Sequence, residues 1–104
     1  MAIYGIPSSQ DALLYSWYAS TNRSVVSAAG ADVALKVNPE PNIELTNFLC
    51  KETFGLNTVG TSAVVRNYQL PKMINGPAII KIETTSSANN LDVSAGFDLL
   101  LVDK

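Results

Sequence analysis

Near the carboxyl end of the chain, apolar side chains recur at every second position. Every odd position from residue 91 to residue 101 is apolar, whereas the even positions include Asp92, Ser94 and Asp98. Because successive side chains of a β-strand point to opposite faces, this period of two predicts a half-buried strand. Gly96 lies within the run, where a bulge or bend is expected. The apolar positions are Leu91, Val93, Ala95, Phe97, Leu99 and Leu101.

Residues 78–85 show the same period of two, with Ile80 and Ile82 on one face and Lys81 and Glu83 on the other. Turn-forming residues precede this segment, and the polar segment 86–90 separates it from the last run. We therefore predict that the region from Gly76 onward forms a hairpin-like pair of strands.

The middle of the chain is predicted to contain shorter strands separated by loops. Residues 32–37 alternate before a loop at 38–42 that contains two prolines, and residues 43–46 repeat the alternation. A further strand is predicted over residues 63–70, where it is ended by Pro71.

Between these strands the pattern is weaker. Residues 47–54, followed by Gly55, predict one or two helical turns, and residues 56–62 predict a loop that is rich in small polar side chains. Cys50 has phenylalanine and leucine neighbours, so we expect a buried thiol that acts as a small hydrophobic side chain.

Residues 12–19 fit two patterns at once. Ser8 and Asp11 resemble a capping box, which predicts a short helix. The alternative is a strand, in which Tyr15, Trp17 and Ala19 would share one face and the residues between them the other. Aromatic residues are enriched in strands, which favours this alternative. In the helical interpretation, one apolar stripe consists of Leu13, Leu14, Trp17 and Tyr18.

Together these patterns predict one domain over residues 1–104. Its fold class is mainly β, a small antiparallel β-sandwich or barrel of jelly-roll-like type with one short N-terminal helix or arm. Residues 1–10 are the candidate extended arm. A hydrophobic fraction of 47% excludes intrinsic disorder, which requires low hydrophobicity and high net charge.

The amino-acid composition excludes most of the common types of catalytic site. The chain has no histidine and one cysteine, so it lacks the commonest general base and the clustered ligands of a zinc site. Asp92 and Asp98 are separated by about 20 Å along an extended strand, too far for a glycosidase pair. We expect no catalytic residues, no metal and no cofactor, and hence no enzyme.

The distribution of charge and hydropathy argues against two classes of partner, nucleic acids and membranes. The seven lysine and arginine residues are scattered singly, which argues against nucleic-acid binding. No apolar run approaches the roughly 20 residues that cross a bilayer, and the first residues carry no basic leader, so we expect synthesis in the cytoplasm and no membrane contact.

Charged residues make up only 15% of the chain, well below the roughly 25% of typical soluble domains. A neutral polar surface costs less to desolvate than a charged one and therefore suits lasting contact with other proteins. Aromatic residues are enriched at interfaces, although they also fill cores and stack on sugars. We take Ile3, Tyr4 and Ile6 as a docking arm, and Tyr15, Trp17 and Tyr18 as interface anchors.

In overall pattern the chain resembles the small virion proteins of tailed bacteriophages. The resemblance rests on the apolar N-terminal segment (Ala2 to Pro7), the few charges, the loops rich in Ser, Thr and Asn, and the C-terminal strand region (Gly76 to Val102). Capsid decoration or cement proteins are the group that the chain resembles most. The resemblance is one of overall pattern and carries no site residue with it.

This resemblance implies a non-enzymatic viral structural protein, a homo-oligomer that is often a trimer and that sits on the virion. Such a protein binds a major capsid or other virion protein and stabilises the expanded shell by bridging neighbouring capsomers. The alternative function is a glycan- or receptor-binding β-module of a phage tail fibre or similar adhesin, with Trp17 as the stacking residue.

Overall fold

Seven antiparallel strands form two sheets in a computed structural model that describes residues 2–23, 30–57, 60–86 and 91–104. One sheet has four strands in the order β1-β6-β3-β4, and the other has three in the order β5-β2-β7. The predicted fold class, a small antiparallel β-sandwich, is confirmed. The strands are β1 (Ala2–Ile6), β2 (Gln10–Arg23), β3 (Gly30–Asn38), β4 (Leu49–Asn57), β5 (Gly60–Asn75), β6 (Ala78–Ser86) and β7 (Leu91–Asp103).

The core lies between the two sheets and is built from alternate residues of the central strands. β2 contributes Leu14 and Trp17, while β3 and β6 contribute Leu35 and Ile80 from the opposite sheet. Each fully buried side chain of this size stabilises the fold by about 1.5–3 kcal/mol relative to its exposed state. The inward-facing residues of β7 pack against the rim of this core, as their alternation predicted.

For residues 12–19 the helical interpretation is wrong and the strand alternative is confirmed, because this segment is part of strand β2. Its register against β7 pairs Leu14 with Leu99 and Ser16 with Asp98, so Tyr15 is an inserted residue that forms a β-bulge. The bulge puts Leu14 and Trp17 on the same inward face three positions apart. A spacing of three is also the helical spacing, which is why the sequence indicated a helix.

The predicted pairing of the last two strands is also wrong. β6 lies in the four-stranded sheet between β1 and β3, whereas β7 lies in the three-stranded sheet beside β2. The polar segment that was predicted as their turn includes residues 87–90, which fall outside the described residues. Alternation identifies a strand but does not identify its neighbour, so both strands were correct and their pairing was not.

Strand β4 replaces the helical turns predicted over residues 47–54. Its register against β3 pairs Leu35 with Glu52 and Lys36 with Cys50, so Lys51 is the inserted residue of a second bulge. This bulge again breaks the period of two. It leaves Cys50 on the outer side of the sheet, where the thiol is exposed, so the expectation of a buried cysteine is wrong.

Three further expectations are corrected, two of them at strand ends. β5 continues past Pro71 to Asn75, because an edge strand tolerates a residue that cannot donate a backbone hydrogen bond. β4 and β5 also extend into the predicted loop 56–62, of which residues 58–59 fall outside the described residues. The alternation of Ile43 and Leu45 does not mark a strand, since both lie in the turn-rich connection between β3 and β4 and are exposed.

Short turns carry the chain from one sheet to the other. Residues Ser8 and Ser9, expected to start a helix, form the turn from β1 to β2, closed by the hydrogen bond from the Gln10 amide to the Pro7 carbonyl (3.2 Å). Gly76 lies between β5 and β6, and a Cβ there would collide with the Pro7 and Gln10 carbonyl oxygens. Glycine is therefore required where these two turns meet.

Deletion of one residue from β2 should distinguish the bulge from the regular part of the strand. Removing Tyr15 leaves Leu14 and Trp17 on the inner face of a regular strand, because only the inserted residue is lost. Removing Tyr18, which is similarly exposed, flips every side chain on one side of the deletion. We expect the Tyr15 deletion to melt cooperatively close to the wild type and the Tyr18 deletion to be unfolded, as measured by circular dichroism; equal damage from both deletions would contradict the register.

Candidate functional site

The outer faces of the two sheets differ in character. On the four-stranded sheet, Glu83 lies between two lysines, with its oxygens 3.0 Å from Lys36 Nζ and 2.8 Å from Lys81 Nζ. The Lys81 ammonium also lies 4.0 Å from the centroid of the Phe48 ring. Hydrogen bonds from Lys81 and Lys36 lower the pKa of Glu83 below its usual 4.5. This face presents a network of paired, partly exposed charges, and charged groups favour contact with water.

The three-stranded sheet presents apolar side chains on its outer face. Its register places Met73 of β5 and Leu100 of β7 on either side of Leu13 in the central strand β2. Met73 and Leu100 are 59% and 49% exposed, so this cross-strand row is open to solvent. Val102 follows Leu100 on the same side of β7 and is exposed as well.

A second outward row crosses the sheet further along β2. It pairs Tyr18 with Val65 on one side and with Gly96 on the other. The Tyr18 ring covers Gly96 so closely that a Cβ at this position would collide with the phenol group. Gly96 therefore gives room for an aromatic ring to lie flat on the sheet, a known way of stabilising a strand glycine. Tyr15 is exposed at the bulge between the two rows.

We call this surface the apolar face and define it by seven residues. The acidic residues beside them already have partners within the chain. Asp98 accepts a hydrogen bond from the Ser16 hydroxyl (2.7 Å), and Asp11 accepts one from the Gly76 amide (3.1 Å). A partner that covers this surface would leave these two carboxylates with hydrogen bonds, which lowers the desolvation cost. The apolar face comprises Leu13, Tyr15, Tyr18, Val65, Met73, Leu100 and Val102.

The six predicted interface residues fall into three places. Tyr15 and Tyr18 lie on the apolar face. Ile3 and Tyr4 are exposed on β1, which is paired with β6 at the edge of the other sheet and is not a free arm. Trp17 and Ile6 are buried in the core, with 0% and 3% exposure. Burial corrects their proposed role, because neither side chain can reach a protein partner or, for Trp17, stack on a sugar.

Trp17 instead anchors a polar link between the sheets. Its indole Nε1 donates a hydrogen bond to Tyr68 Oη (3.2 Å) and lies 3.4 Å from Glu52 Oε1. The Tyr68 hydroxyl donates to the same Glu52 oxygen, and Arg66 Nε donates to the other (3.0 Å). Phe54 packs beside the indole with ring centroids 5.6 Å apart. A buried indole requires an acceptor, and this requirement was the available signal for the inward-facing Glu52.

A cleft of about 550 Å³ lies where β4 and β5 diverge beyond this link. Lys51, the bulge residue of β4, and Lys72 of β5 line it, with Leu14 and Leu35 beneath them. The Lys72 ammonium lies 4.9 Å from the centroid of the Tyr68 ring. Since its floor is formed by core side chains, the cleft is the open edge of the sandwich rather than a separate enclosed site.

Two further features bear on the function class. Across residues 2–23, 30–57, 60–86 and 91–104, no group of three or more acidic or cysteine side chains is arranged to hold a metal ion. Within the same ranges, no helix is long and apolar enough to cross a membrane.

The outer face of the four-stranded sheet around Lys36, Lys81 and Glu83, which we call the charged face, makes a pH-dependent contribution to stability. A folded-state pKa below the unfolded value means that Glu83 stabilises the fold above about pH 4.5 and loses this contribution as the pH falls through the lowered pKa. We expect the Glu83→Gln variant to be less stable by a few tenths of a kcal/mol at pH 7, the scale of solvent-screened ion pairs. Urea unfolding should show this difference vanish in acid, and a difference that grew with acidification would contradict the assignment.

No protein-family model matches the chain, and no curated protein or solved structure matches it significantly. The functional argument therefore rests on the geometry of the apolar face.

Proposed function

We propose that the chain is a non-enzymatic structural protein of a tailed-phage virion that binds the capsid surface as an oligomer and stabilises the shell. The observation that carries this proposal is the contrast between the two outer faces. One face presents a charged network around Glu83, whereas the other presents seven apolar or aromatic side chains whose acidic neighbours already have partners. A face of this kind is suited to burial against protein.

The size of the apolar face supports a docking role. Three strands spaced by about 4.8 Å and roughly twelve residues long cover on the order of 550 Å² in projection. A standard protein interface takes about 800 Å² of accessible surface from each partner. One copy therefore offers a single patch that is no larger than a standard interface, and several copies acting together would hold a shell more firmly than one.

Binding of this kind needs no chemistry beyond surface burial. The apolar face gains free energy by leaving water, at roughly 25 cal/mol per Å² of apolar surface. A copy that contacts two neighbouring capsomers gains the full amount only when both are in their final positions. The protein would therefore resist separation of the capsomers, as the resemblance to decoration proteins implies. Its location in this proposal is the virion, and its partner is a major capsid or other virion protein.

The structure argues against the glycan-binding alternative, because Trp17, its proposed stacking residue, is buried. It required an exposed indole, and Trp17 is fully buried with its Nε1 directed at Tyr68 and Glu52. The assembly function is the one that the exposed side chains favour.

Sedimentation tests the proposal directly. Phage particles purified by density gradient from the culture whose genome encodes the chain should carry the protein in many copies per capsid, as measured by quantitative mass spectrometry. Tail-less capsids from the same culture should carry it too. A chain that remains at the top of the gradient, or that is found on tails alone, would contradict the proposal.

A matched pair of lysine substitutions tests the apolar face. Met73→Lys places a charge in the exposed row, at its β5 end, whereas Thr85→Lys places one on an exposed position of the charged face. Both variants should fold, because each replaced side chain is exposed. We expect M73K to reduce binding to capsids stripped of the protein at least tenfold, since an unpaired charge buried at an interface costs several kcal/mol. T85K should bind like the wild type; equal binding by both variants would show that the apolar face is not the docking surface.

A further inference from the structure

A sandwich of two open sheets has four edge strands, and three of these edges carry features that block pairing with another strand. β1 is only five residues long and is followed by Pro7. β4 is interrupted by the bulge at Lys51 and directs the charged Glu52 inward. Short length, bulges and inward charges are recognised protections against edge-to-edge association.

The edge of β5 is protected more strongly. Pro71 cannot donate a backbone hydrogen bond, and residues 68–71 have no partner in the register with β2. Arg66 and Lys72, on either side of this irregular segment, pair with the inward-facing residues of β2 and so place two positive charges along the inner edge. A second strand could not pair along β5 without a break.

β7 lacks these protections. It is 13 residues long, contains no proline, and carries only apolar residues at the inward positions from Val93 to Leu101. Beside it, the three-stranded sheet is one strand short of the sheet opposite. A groove of about 300 Å³ opens there between β7 and Tyr4 of β1, and its β7 wall consists of Phe97, Leu99 and Leu101. Among the strands that the structure describes, none pairs with this side of β7, so the edge is open for another strand.

We propose that β7 pairs antiparallel with β7 of a second copy, so that two three-stranded sheets become one continuous sheet of six strands. The inference rests on the proposed function, because it names the oligomer through which the apolar face acts. A pair of identical antiparallel strands is related by a two-fold axis, the commonest symmetry of homo-oligomers. The partner is thus a second copy in a dimer, in place of the trimer that the resemblance implies.

The sequence of β7 fits this self-pairing. With Leu100 on the two-fold axis, Asp98 lies opposite Val102 of the second copy, and Asp103 lies opposite Phe97 of the second copy. No acidic residue then faces another acidic residue, and like charges placed directly opposite would be destabilising. Leu100 meets its own copy on the outer side of the sheet.

This pairing enlarges the docking surface. Residues opposite each other in an antiparallel pair point to the same side of the sheet, so both apolar faces look in one direction. The row from Met73 through Leu13 to Leu100 continues into the same row of the second copy in reverse order. Two coplanar patches can bind two neighbouring capsomers, and linked binding strengthens attachment without any new type of contact.

Disulfide trapping tests the dimer. In a Cys50→Ser background, Leu100→Cys places two thiols opposite each other, where Cα atoms about 4.5–5.5 Å apart permit a disulfide. Met73→Cys is the matched control, because it lies on the same face with similar exposure but on the far edge strand. Mild oxidation should convert most of the L100C chain to a covalent dimer on a non-reducing gel, while most of the M73C chain forms no intermolecular disulfide. Equal cross-linking of both variants, or none in L100C, would overturn the pairing.

Mass measurement separates this inference from the proposed function. Light scattering should give the wild type twice the 11.1 kDa chain mass, and Leu100→Lys, which brings two ammonium groups together at the axis, should be a folded monomer. M73K should remain a dimer although it binds capsids at least tenfold more weakly. A trimeric wild type that still binds capsids would refute the pairing and leave the function intact. A monomeric wild type that still binds capsids would refute the pairing and also the oligomeric part of the proposed function. A dimer that binds no capsid would refute the function alone.

Discussion

The arrangement of the molecule depends on how β2 keeps its apolar side chains inside the sandwich. β2 is the central strand of the three-stranded sheet and runs against both β5 and β7. Leu14 and Trp17 are three positions apart, so in a regular strand their side chains would point to opposite faces of the sheet. The bulge at Tyr15 corrects the phase and buries both residues. The same correction turns Leu13 and Tyr18 outward, so one local irregularity creates both the core and the apolar face.

The burial of Trp17 has consequences across the sandwich. The indole N–H needs an acceptor, and Glu52 supplies it from the opposite sheet together with the Tyr68 hydroxyl. Arg66 then pairs with the remaining oxygen of Glu52. These groups lie along one open side of the sandwich, where β4 and β5 are the edge strands. The need of the buried Trp17 N–H for an acceptor thus places charged groups on that side of the sandwich. The opposite side, along β7, remains apolar.

Sequence patterning predicted the regular strands well. β3, β6 and β7 follow from clean alternation, since nothing interrupts the inward series at Val33 and Leu35 or at Ile80 and Ile82. β2 was left open between a helix and a strand, and β4 was wrongly assigned to helical turns, because Tyr15 and Lys51 are inserted residues and a bulge imitates helical spacing. The neighbour of each strand could not be predicted, because alternation specifies a face and contains no information on pairing.

The candidate site was predicted only in part for the same reason. Tyr15 and Tyr18 were identified as exposed aromatic residues of one segment. Met73 and Leu100 were missed because they are distant in sequence and meet only through the register of β2 with β5 and β7. Trp17 was assigned to the surface because aromatic character alone does not reveal which face of a strand a residue occupies.

The central claim is that the apolar face is buried by protein on the virion while the charged face stays in water. Hydroxyl-radical footprinting measures both faces in one experiment, because Met73 lies on the first, exposed Cys50 lies on the second, and both sulfur atoms oxidise readily. The account predicts that Met73 oxidises several-fold more slowly on purified capsids than in the free protein, whereas Cys50 oxidises at the same rate in both. Unchanged oxidation of Met73 on capsids, or protection of Cys50 in its place, would contradict it.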